Sequence, residues 1–189
     1  MSCDYYSSLR DRLRSETRHC HQALDERVSR LLNSDPEDYR RFLALQWRLF
    51  TALSRCGVES ACAPLVRELQ QRVQQDLITL DREPLPAPPD LNFRPHPLAV
   101  DYIVSGSRLG AQVLKKRWMD MGLAEVGTAC VYLSAPTDTS YWREFVTCAT
   151  ALPAQGKEAD AIVIDCIALF EFCINYVLAQ PARERVLHV

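Results

Sequence analysis

The chain has 189 residues, 48% hydrophobic and 24% charged, with a formal net charge of −2. That length supports one globular domain with a substantial core, and that charge implies no general affinity for nucleic acid or an anionic membrane. No apolar run approaches the roughly 20 residues of a membrane span, and Met1-Ser2-Cys3-Asp4 does not begin a secretory signal, so a cytoplasmic protein is expected.

Taken in order, the first predicted helix covers Leu9 to Leu32, with Leu13, Cys20, Leu24, Val28 and Leu31 as its apolar stripe. His21 falls at the edge of that stripe, and His19 should face water. Arg14, Thr17, Arg18 and His21 share one side, and Asp25 follows His21 by one turn. Asn33-Ser34-Asp35-Pro36-Glu37 ends this helix and opens the next. Ser34 or Asp35 can cap, and Pro36 suits a first turn. The second helix runs to about Cys56, where Gly57 breaks it. The third covers Cys62 to Leu80, striped by Leu65, Leu69, Val73 and Leu77.

Glu83 to Pro97 holds Pro84, Pro86, Pro88, Pro89, Pro95 and Pro97, which excludes regular helix and reads as an ordered surface crossover within a single domain, residues 1–189. A helix follows from Pro97 to Met121, ending at Gly122. Gly127 to Ser134 reads as short helix or turn. Ala135-Pro136-Thr137-Asp138 opens a helix to Ala151 with Tyr141, Trp142 and Phe145 inward. The last helix, Lys157 to Ala179, is strongly apolar and should be buried on several sides, and 181–189 forms a flexible tail. No segment has strand period, so the fold class is all-α.

The 8 cysteines include no C-x-x-C pair, and no Cys/His group has zinc-ligand spacing, so they read as reduced, structural thiols. The helix after the crossover is unusual in a different way. Gly106 and Gly110 each cost about 1 kcal/mol against alanine inside a helix. Four residues apart, they share one face beside Ser107, leaving a bare strip of backbone. Arg108 lies about 200° round from Gly106, at roughly 100° per residue, and is expected to point outward. The strip serves either close helix–helix packing or the approach of something flat.

A histidine beside a threonine and arginines on one helix, and bare backbone on another, are faces between which a flat iron macrocycle fits. The stretch Leu13-Arg14-Ser15-Glu16-Thr17-Arg18-His19-Cys20-His21 follows the proximal pattern Leu-basic-x-x-Thr-x-x-x-His of the haem oxygenase family. Ser105-Gly106-Ser107-Arg108-Leu109-Gly110-Ala111 resembles the distal Glu-Gly-Ser-x-Leu-Gly-Gly/Ala of its compact bacterial branch. Gly110-Ala111-Gln112-Val113-Leu114-Lys115-Lys116 also looks like the animal members. The resemblance spans nearly the whole chain. It departs at Ser105, where bacterial relatives often carry glutamate, and at Ser107, where animal members carry aspartate. It departs again in Ala161–Ala179, which lacks the late lysine and arginine of the animal enzymes. That leaves Arg143 and Arg117 as candidates for the propionates there.

The resemblance implies a helical bundle holding haem between a proximal and a kinked distal helix. It makes His21 the iron ligand, Asp25 the carboxylate that orients it, and Arg14, Thr17 and Arg18 further haem contacts. Gly106, Ser107 and Gly110 form the distal catalytic face. The implied reaction opens haem, both cofactor and substrate, to biliverdin, CO and ferrous iron. No flavin or nucleotide motif is present, so electrons come from an external ferredoxin or flavin reductase. A bilin-binding photoreceptor is a further implied partner. Two alternatives keep the same architecture: a haem- or bilin-binding chaperone or sensor without turnover, and a haem-free relative like the thiaminase branch, whose cysteine motif is not apparent here.

Overall fold

Helix formation is dictated almost everywhere by apolar spacing, and the caps set its limits. The computed structural model describes residues 6–32, 35–80, 88–120 and 128–179. Among the described residues there are seven α-helices and no strand: α1 (Leu9–Glu16), α2 (Arg18–Arg30), α3 (Pro36–Arg55), α4 (Ala63–Leu80), α5 (Pro97–Asp120), α6 (Ser140–Ala151) and α7 (Lys157–Ala179). The chain is an all-α, single-domain fold. Part of the proline-rich crossover (81–87), the expected end of the glycine helix (121–127) and the tail (181–189) lie outside the described residues.

The expected single helix over Leu9–Leu32 is corrected at Thr17, where α1 stops and α2 begins. The Thr17 hydroxyl donates to Leu13 O at 2.8 Å. Such back-bonding to the carbonyl one turn earlier bends helices. The one hydroxyl hydrogen of Thr17 is thereby used, so the 3.0 Å contact with the Tyr102 phenol is a bond donated by Tyr102 to Thr17. The break therefore ties the first helices to α5. Asp35 caps α3 by accepting from Glu37 N at 2.8 Å, with Pro36 in the first turn, and Ser34 lies outside the described residues. The stretch after Thr128 is turn rather than helix, and α6 begins only at Ser140.

The core joins Tyr39, Phe42 and Phe50 of α3, Leu69 and Val73 of α4, and Ile162, Cys166 and Leu169 of α7. Pushing such side chains out of water supplies the main driving force, at about 1.5–3 kcal/mol for a fully buried large aliphatic. α3 packs chiefly on α4, α5 on α6 and α7, and α2 on α7. α7 also meets α1 and α3, as expected for a helix apolar on several sides. By length and composition α7 is nevertheless long and apolar enough to cross a membrane, with a third of its most apolar window (33%) buried. The expectation that no stretch approaches a span is corrected at this helix.

Buried polar groups fasten the loops. Asp76, fully buried on α4, accepts from the backbone N–H of Val131 and of Tyr132, each at 2.8 Å, which holds that turn against the core. Burial pushes its carboxyl above the usual range, and the two N–H bonds oppose that shift. Asp101 accepts from Cys62 N at 2.8 Å and so ties α5 to the start of α4.

Arg108 is a further correction. It points away from Gly106, but that direction is protein and not solvent, and the residue is 2% exposed. Its guanidinium donates to Ala135 O at 3.1 Å and lies over the Tyr132 ring at 5.3 Å. The long arginine stem is accommodated in apolar surroundings, and the cation finds a carbonyl and a π-face.

Candidate functional site

α2 and α5 both pack on α7 but scarcely on one another, and a cavity of about 660 Å³ lies between them. That is within the usual range of small-molecule sites, roughly 300–1,000 Å³. α2 contributes His21, Leu24, Asp25, Val28 and Ser29. α5 contributes Tyr102, Gly106, Ser107 and Gly110, and further along Val113 and Arg117. Phe170 and Trp142 close it from α7 and α6, and Tyr132 and Gln46 form another part of the wall.

His21 sits one turn beyond the break at Thr17, with its backbone N–H bonded to Thr17 O at 2.9 Å. Its side chain is 56% exposed. Nδ1 lies 2.9 Å from an Asp25 carboxylate oxygen, the one-turn pairing that their spacing allows. In a neutral imidazole the carboxylate accepts the Nδ1 proton and leaves the Nε2 lone pair bare. The ring also meets Phe170 edge-on, with centroids 5.8 Å apart. Two contacts thus hold the imidazole in one orientation.

The facing stretch of α5 runs as unbroken helix through both glycines, neither of which takes a positive φ. Their role is therefore room, not backbone freedom. A Cβ on Gly110 would meet nothing within 4 Å, whereas one on Gly106 would lie 3.5 Å from the Trp142 ring. Neighbouring Leu109 and Val113 also line the cavity and are 43% and 57% exposed, an apolar lip with nothing packed on it. The Ser107 hydroxyl donates to Val104 O at 2.8 Å, which leaves its oxygen lone pairs as acceptors toward the cavity.

One end of the cavity is aromatic. Tyr102 packs against Trp142, Phe145 and Phe170, at centroid distances of 6.1, 5.3 and 6.4 Å. Burial pushes its phenol pKa up, and the hydrogen bond to Thr17 opposes this. Tyr132 donates to Gln46 Oε1 at 3.0 Å, and burial raises its phenol as well, against the pull of Arg108.

No family model, curated protein or solved structure matches this chain. The site therefore rests on its own geometry. Of the residues singled out from sequence, the structure brings His21, Asp25, Gly106, Ser107, Gly110 and Arg117 to one cavity, and Arg143 lines no part of it. Thr17 is buried behind it and reaches it only through Tyr102. Arg14 and Arg18 are exposed and line no part of it. Sequence reasoning missed Tyr102, Tyr132, Gln46 and Ser29. Tyr102 had a legible signal, since it stands one turn before Gly106 on the same face. The others come from elements whose placement no local pattern carries.

Proposed function

We propose that this protein is a haem oxygenase, with haem held between His21 on α2 and the glycine face of α5. One observation carries the reading: the two faces singled out by their resemblance to haem oxygenase motifs line the same cavity, one with an oriented imidazole and the other with two glycines one turn apart. The residues present fit the group. Nε2 of His21 is free to ligate, and the space beyond Gly110 is open where any other residue would place a side chain. Among the described residues no cluster of three or more His, Cys, Asp or Glu can hold a metal ion by itself. A single histidine suits iron whose other ligands come from a macrocycle.

When bound, haem supplies both the iron that activates dioxygen and the ring that is opened to biliverdin, CO and ferrous iron, with electrons from an external ferredoxin or flavin reductase. The chain's own contribution is binding, orientation and electrostatics. His21 would ligate the iron through Nε2, and Asp25 holds that imidazole in place through Nδ1. Trp142, Phe170 and Tyr102 exclude bulk water from one end. Ser107 Oγ, its proton used by Val104 O, would accept from water in the cavity beside the ring, a route for protons that needs no acidic side chain. No acid of α5 lines the cavity. That observation also favours the second reading, a haem- or bilin-binding protein without turnover.

Single-turnover oxidation separates the two. The purified protein is loaded with hemin and given reductant and oxygen, with catalase present to remove free peroxide. Loss of the haem Soret band with growth of a biliverdin band is expected. A complex that keeps its haem unchanged under these conditions would favour the binding-only reading.

A further inference from the structure

Among the described residues Arg108 is the only buried lysine or arginine, and it lines no part of the cavity. Its guanidinium is under-partnered. Nη2 donates to Ala135 O at 3.1 Å, while Nε and Nη1 are buried with no acceptor from the described residues. The buried carboxylates are spent elsewhere. Asp76 accepts from Val131 N and Tyr132 N, and Asp101 from Cys62 N. A cation withdrawn from water without a counter-charge is costly to fold. It also acts over distance, because solvent and salt screen it far less than a surface charge.

The cavity lies within that reach. The guanidinium stands 5.3 Å from the centre of the Tyr132 ring, and Tyr132 lines the cavity. Its pull on the Tyr132 phenol, against the effect of burial, is one sign of the field. Gly106 and Gly110 stand two residues to either side of Arg108 on α5 and face the cavity. Charge and glycine face are therefore about one helix diameter apart, roughly 10–12 Å. Asp25 and Arg117, the other charged groups at the cavity, are exposed to solvent and screened by it.

We propose that Arg108 sets the electron affinity of the iron macrocycle in this cavity, as a fixed positive charge behind the wall that favours the reduced state. The inference rests on the haem reading and deepens it. One electron from the external donor adds one negative charge at the iron, with no bond made or broken in the protein. A cation nearby stabilises the outcome of that step over its start. Packing holds Arg108 in place before any electron arrives, so the field needs no reorganisation.

The test is spectroelectrochemical titration of the hemin complexes of wild type, Arg108→Met, Arg108→Gln and Lys116→Met, at low and high salt. Both neutral variants at position 108 are expected to lower the ferrous-to-ferric ratio at a fixed potential by about tenfold, the scale of one charge at that distance with an effective dielectric constant near 20. The shift should be equal in the two, although glutamine keeps a donor for Ala135 O and methionine does not, and it should persist at high salt. Hemin affinity and the axial-ligand spectrum should match wild type. Lys116 is exposed, so Lys116→Met should give a smaller shift that high salt removes. Unchanged ratios in both neutral variants overturn the assignment and leave the haem reading standing. A shift that differs between methionine and glutamine, or that comes with an altered axial spectrum, also overturns it, since the arginine would then act through packing. So does failure of both variants to fold, which would make the charge structural. A wild type that binds no hemin overturns the haem reading itself, and the assignment with it.

Discussion

His19 and His21 stand two residues apart on α2 and meet different surroundings. His21 lines the cavity with Nδ1 on Asp25. His19 is exposed, with Nε2 3.1 Å from the Cys20 sulfur, and lines no part of the cavity. If His21 ligates iron, His21→Ala removes the axial-imidazole signature of the hemin complex in absorption and electron paramagnetic resonance, while His19→Ala keeps it. Equal losses in both variants, or none in either, would sink the assignment. In the sequence it was the resemblance to the proximal motif that singled out His21, with its register at the edge of the apolar stripe in agreement. The Thr17 break does not spoil that register, because the His21 N–H still bonds Thr17 O as in a continuous helix.

At the scale of the helix, Gly106 and Gly110 look equivalent in sequence and are not. Gly110 faces open space, and Gly106 faces Trp142. Replacing Gly110 by leucine should stabilise the ligand-free protein, since the helix gains about 0.8–1 kcal/mol in propensity and no atom lies in the way of the new Cβ. The same change fills the space proposed for the ring. Gly110→Leu is therefore expected to raise the thermal midpoint of the apoprotein by a few degrees, by the usual scaling of stability with midpoint, and to lose hemin binding. Gly106→Leu should instead lower the midpoint, because the side chain beyond its Cβ runs into the indole. Hemin affinity unchanged in Gly110→Leu would make this face a packing surface only.

Over the whole molecule the described thiols are all free, and several are sealed in the core. Burial pushes the Cys173 thiol from an ordinary 9.0 up to about 12 and raises Cys62 and Cys166 as well. Between pH 9 and the folded-state values, each keeps a proton in the native protein that the unfolded chain has released. The native state binds more protons there, so stability falls as pH rises, by at most roughly 1.4 kcal/mol per pH unit for each such thiol. Denaturant midpoints measured from pH 8 to pH 10.5 should fall above pH 9. At pH 8, iodoacetamide should modify exposed Cys148 rapidly and leave Cys62, Cys166 and Cys173 untouched until the chain unfolds. Rapid native-state alkylation of all three would contradict their burial.

Helix identity was legible because apolar spacing, proline breaks and N-caps act over a few residues, and those local terms decide where helices such as α3, α4 and α7 begin and end. The paired signals around His21 and Gly106 were legible for the same reason, as positions on a helix face. Local pattern does not say what lies opposite a face. Arg108 was correctly aimed away from the glycines, yet only the packing of the 131–135 turn, held by Asp76, makes that direction interior. Likewise Thr17 shared a side with His21 in sequence, yet the structure buries it against Tyr102 and leaves Arg14 and Arg18 in solvent. That His21 and the glycines bound one cavity, with Ser29 and Arg117 also lining it, follows from α2 and α5 docking separately on α7. Contacts between distant segments settle that arrangement, and their free energy has no signature at the spacing of a single helix.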